Sequence, residues 1–207
     1  MNPKISRSIE DIFGIQVCGN ALFYAHPDGL RFELSEGGEP LEQVLTALRK
    51  ASLICEDLFD AVDSLTVCLR RFAGNDKFAL RKVLRELKNA GVAIPDEREI
   101  WFDPVPIEDR FDEDIEEWWI SLAFQLPTTK LENLFWCAFT ADFPSLHPNP
   151  RCDVYIFNFK DRVLVHPYDD RGMDVIGPNK DFLRKLYVKH NSLLLDYDRA
   201  RMSKSFE

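Results

Sequence analysis

His166, Asp169, Asp170, Arg171 and Asp174 crowd into one short stretch of this chain, and they are its most chemically suggestive cluster. Carboxylates gathered at a turn can ligate a hard cation such as Mg²⁺, with or without which such a cluster could serve an enzyme. A structural reading of the same residues competes and is preferred: aspartates hold turn backbone, Gly172 relaxes the turn, and Arg171 pairs with a neighbouring acid. In that reading Asp170-Arg171 reaches Asp196 or Asp198 and locks the C-terminal segment onto the strands before it. Arg31 and Glu33 lie two apart in an alternating pattern and so share a strand face, where Arg31 could read an anionic ligand or bridge to a neighbouring strand. No residue is assigned as catalytic, no cofactor is expected, and none of the histidines, His26, His147, His166 and His190, is assigned to a metal.

A second feature is a charge block. Residues 108–117 hold seven acids and one arginine and run straight into Trp118-Trp119. Such a block is either a solvated loop or a docking face in which carboxylates steer and grip a basic partner while an aromatic ring anchors it. The partner-binding set expected from it is Glu108, Asp109, Phe111, Asp112, Glu113, Asp114, Glu116, Glu117 and Trp119. Trp118 or Trp119 would also suit homodimerisation.

Composition narrows the field. The formal net charge of −9 argues against a nucleic-acid binder, which needs a basic face to displace counterions from phosphates. No apolar run approaches the roughly 20 residues of a membrane span, and the N-terminal residues lack a secretory pattern, so a cytoplasmic protein is expected. Five scattered cysteines, Cys18, Cys55, Cys68, Cys137 and Cys152, read as reduced core thiols, with Cys18 or Cys152 as a nucleophile the weaker alternative. Phosphate-binding loops, dinucleotide fingerprints, zinc-protease helices and serine elbows are all missing from the sequence.

The elements that must position these residues follow from periodicity. Leu30, Phe32 and Leu34 alternate with polar residues behind the turn Pro27-Asp28-Gly29, which predicts a hairpin over residues 21–34. Leu41, Val44, Leu45, Leu48, Cys55, Leu58 and Phe59 recur at helical spacing, as do Leu80, Val83, Leu84 and Leu87, the latter with Asn75 or Asp76 as cap and Gly91 as stop. Strands are predicted around Leu65–Leu69 and from Trp118 to Leu126, whereas Pro95, Pro104 and Pro106 predict an irregular run over 94–107. Thr129-Lys130-Leu131-Glu132 fits a capping box for a helix ending before Pro144. Residues 154–159, 162–166 and 173–176 predict a three-stranded meander, and Asn179 caps a closing helix. The expected whole is one α+β domain over 1–207: a mostly antiparallel sheet flanked by four to five helices, with flexible ends at 1–8 and 200–207.

Tyr168-Asp169-Asp170-Arg171-Gly172-Met173-Asp174-Val175-Ile176, followed by Leu195-Asp196-Tyr197-Asp198-Arg199, resembles an uncharacterised bacterial family catalogued as domain of unknown function 3885. Upstream, Gly29-Leu30-Arg31-Phe32-Glu33-Leu34 and Asp142-Phe143-Pro144 extend the resemblance over nearly the whole chain. It implies no activity. The functional expectation therefore rests on charge: a non-enzymatic interaction protein, an immunity-type antagonist (antitoxin) of a basic toxin or nuclease. A site at the Asp-Asp-Arg-Gly turn, or a small-ligand sensor, are the alternatives.

Overall fold

The structure is a computed structural model that describes residues 4–14, 18–19, 21–26, 28–60, 62–76, 78–112 and 114–206. Among the described residues seven strands form one sheet: β1 Leu30–Glu33, β2 Ser64–Gly74, β3 Arg98–Pro104, β4 Trp118–Pro127, β5 Asp153–Asn158, β6 Val163–Asp169 and β7 Gly172–Ile176. Their order is β1-β7-β6-β5-β2-β4-β3, and every neighbouring pair is antiparallel. The expected α+β class and the meander of β5, β6 and β7 are both present.

Side chains alternate between the two faces of a strand, and the sheet uses both. Val67, Leu69, Leu122, Phe124, Val154, Ile156, Val165 and Val175 point into the main core, whereas Cys68, Ala123, Tyr155, Phe157, Leu164 and Ile176 point into a smaller one. The main core is closed by α3 Pro40–Phe59, α4 Leu80–Asn89, α5 Leu131–Phe139 and α6 Lys180–Lys189. α3 shows why: Pro40 presets the first turn, and Val44, Ala47, Ala51, Ile54, Cys55 and Leu58 then place one apolar stripe on the sheet. The smaller core lies under α1 Ile5–Phe13 and the single turn α2 Leu22–Ala25, through Ile9, Phe13 and Leu22.

Three local expectations are corrected. Instead of the first arm of a hairpin, Leu22–Ala25 is helical; it tucks Leu22 and Phe23 under the sheet, and Pro27 of the expected turn lies outside the described residues. The proline-bearing run contains β3, an edge strand. The Val105 N–H donates to Glu117 O, so the odd-numbered residues of β3 bond to β4 and Pro104, being even, withholds no donor from the ladder. The capping box of Thr129 and Glu132 does not form: the N-cap position of α5 falls at Lys130, and no side chain caps the helix. Asn179 does cap α6, its Oδ1 accepting from Phe182 N at 3.2 Å.

At both ends, where the sequence reads as flexible, the structure places helices, α1 and α7 Arg199–Phe206, the latter burying Met202 and Phe206. Among the described residues no helix is long and apolar enough to cross a membrane.

Candidate functional site

Tyr168 and Asp174 of the turn motif and Asp198 of the C-terminal motif converge on Arg31. Its Nε donates to Asp174 Oδ1 at 2.7 Å and its Nη2 to Asp174 Oδ2 at 3.0 Å, a two-pronged pair set by the β1–β7 register that places Arg31 opposite Asp174. A third nitrogen, Nη1, lies 3.5 Å from Asp198 Oδ2. The guanidinium is framed by the rings of Phe23, Tyr24 and Tyr168, with centroids 5.1, 4.7 and 5.4 Å away. Phe23 N donates to Asp174 Oδ2 at 3.0 Å, and Tyr24 Oη donates to the Asp198 carboxylate at 3.1 Å. The Asp174 side chain is 0% exposed. Burial alone would lower the Arg31 pKa; the Asp174 carboxylate outweighs it and raises it.

The other acids of the turn are engaged locally. Asp169 accepts from the Arg171 backbone N–H at 2.8 Å and pairs with the Arg171 guanidinium. Asp170 accepts from the Ser35 hydroxyl at 2.9 Å, and burial raises its carboxyl above the usual range. Gly172 is required by close approach, because a Cβ there would overlap the Tyr168 ring and come within 2.9 Å of Phe32 O. His166 is buried, bonded through Nδ1 to Val154 O at 3.0 Å and stacked on Tyr155 with centroids 4.4 Å apart. Burial holds its pKa below the usual imidazole value, against the Val154 carbonyl and the charges of Asp153, Asp174 and Asp169. The expectation that Asp170-Arg171 would reach the C-terminal segment is thus corrected: Arg31 makes that link, to Asp198, while Arg171 and Asp170 stay with Asp169 and Ser35. Among the described residues, no group of three or more His, Cys, Asp or Glu is placed to hold a metal ion.

The acidic segment is the connection from β3 to β4. Glu108, Asp109, Asp112, Asp114 and Glu116 are exposed, and Phe111 is 89% exposed, its ring meeting the Phe72 ring edge-on with centroids 5.9 Å apart. Glu117 is turned inward: it is buried and its Oε2 accepts from Phe111 N at 3.1 Å. Arg110 Nε donates to Val105 O at 2.9 Å, and Asp112 Oδ1 accepts from Asp114 N at 3.0 Å, so the loop backbone is tied from within. Trp119 is half-buried, with Phe72 on its edge and the Arg70 guanidinium 4.3 Å from its ring centroid. Glu113 lies outside the described residues.

Sequence reasoning missed several participants. Phe23 and Tyr24 frame Arg31 from a helical turn too short to show a period. Asp153 on β5 stands opposite Arg70 on β2, and burial raises its carboxyl pKa. Nothing in the order of residues announces either arrangement.

No curated protein and no solved structure matches the chain. The turn carrying Asp174 and the segment carrying Asp198 are joined in space by Arg31. The family described as Domain of unknown function (DUF3885) matches residues 7–198, most of the chain, and the protein belongs to that family.

Proposed function

We propose that the protein is a non-enzymatic interaction protein that binds a basic protein partner through the acidic connection between β3 and β4. The partner class is a basic toxin or nuclease, and the protein acts as its bacterial, cytoplasmic, immunity-type antagonist. The observation that carries this reading is the exposure of the described residues of 108–117: five exposed carboxylates flank the exposed Phe111 along a loop whose backbone is held by Arg110 and Glu117. Exposed acids steer a basic partner and accelerate encounter, an aromatic ring supplies the anchor, and a pre-tied loop loses little conformational freedom on binding. The competing site at the Asp-Asp-Arg-Gly turn would need open charges, whereas Asp174, Asp169 and Asp170 already have partners within the fold.

The test is retention of a basic protein from host lysate by the native chain and by a variant carrying Glu108→Gln, Asp109→Asn, Asp112→Asn, Asp114→Asn, Glu116→Gln and Phe111→Ala, followed by calorimetry on the purified pair. The expected result is salt-sensitive binding by the native chain that the variant loses. Equal affinity of both forms for the same protein overturns the reading.

A further inference from the structure

We infer that the partner completes the sheet: an extended segment alternating basic and apolar residues adds to the outer edge of β3 as an eighth strand. This rests on the acidic-surface reading and specifies how the partner is held.

The two edges of the sheet differ. The outer side of β1 is closed by the chain itself, with Phe32 bridging Leu194 and the Leu195 N–H donating to Arg31 O at 2.9 Å. The outer side of β3 is open. The ladder to β4 uses the odd-numbered residues, so Arg98, Ile100 and Phe102 aim their backbone N–H and C=O groups away from the sheet, and no described residue takes them. Ile100 and Phe102 are 45% and 47% exposed, lie on one face and stand two residues apart, the spacing at which a paired strand sets its own side chains. Open edges are usually blunted by lysines, prolines or bulges. β3 has no lysine, and its Arg98 and Pro104 stand at its first and last positions, leaving Ile100 and Phe102 between them on the exposed face.

Charge selects the occupant. Asp96 and Glu97 precede β3, Asp103 lies within it, and the exposed acids of 108–116 follow it, against a single arginine, Arg98, on the strand. A second copy of this chain would bring the same acids to the same edge, whereas a strand bearing lysine or arginine meets them with opposite charge. Main-chain pairing would then supply affinity, and the apolar positions over Ile100 and Phe102 the register.

The probes are a short peptide alternating lysine and valine and one alternating lysine and proline, which has equal charge and far fewer ladder donors. They are titrated against the native chain, against Ile100→Pro, and against the acid-neutralised variant. Ile100→Pro removes an N–H that β4 does not use; a double variant, Ile100→Lys with Phe102→Lys, stands beside it in case the proline disturbs the fold. The expected result is binding of the lysine–valine peptide weakened about tenfold or more by either edge variant, with the amides of Arg98, Ile100 and Phe102 protected from hydrogen exchange in the native complex. Equal binding of both peptides, unaffected by the edge variants but abolished by acid neutralisation, overturns strand addition and leaves the acidic surface standing. Absence of binding by either peptide overturns both.

Discussion

Arg31 is the residue on which the signature turn, the first strand and the C-terminal segment all depend. Its removal would leave the Asp174 carboxylate buried with, among the described residues, only the Phe23 N–H bonded to it. Stranding a buried charge in this way costs about 3–5 kcal/mol. Arg31→Ala is therefore expected to lower unfolding free energy by that amount in urea titrations, and Arg31→Met combined with Asp174→Leu to recover much of the loss. The sequence placed Arg31 on a strand and allowed it a cross-strand partner, because alternation fixes the face. It did not place Asp198, which joins the same cluster from the C-terminal segment; a carboxylate nearer in sequence, Asp169, takes the arginine that had been matched to it.

Elements with a long period were legible. α3, β2, β4 and the meander were expected because their apolar residues repeat at helical or strand spacing over enough turns to outweigh local exceptions. α2 was not, since one turn has no period, and β3 was not, since Pro104 and its neighbours Pro95 and Pro106 read as breaks; the ladder parity that makes Pro104 harmless depends on β4, outside the local window. Caps divide along the same line. Asn179 holds the α6 terminus through its own side chain, whereas the residues 129–132 fit a box that the structure does not use. Asn179→Ala should cost about 1 kcal/mol, the usual worth of an N-cap, and the loss should appear as a lower urea midpoint with unchanged slope. Thr129→Ala should leave the midpoint where it is.

At the scale of the molecule, much of the candidate surface was legible as a charge block and very little of its setting was. Composition announces an excess of acid, and residues 108–117 concentrate it; that the block follows directly on an uncovered edge strand depends on the strand order. The arrangement has a bearing on colloidal behaviour. An uncovered strand with exposed isoleucine and phenylalanine is a template for self-assembly, and in this protein mutual repulsion between acidic copies is what stands against it. Acidification toward the isoelectric point of about 5.0, where the net charge vanishes, or raised salt removes that repulsion. Light scattering should then report growing particles before circular dichroism reports lost structure, and Ile100→Lys should delay them. The same edge that would admit a basic partner would, without its charge, join the protein to itself.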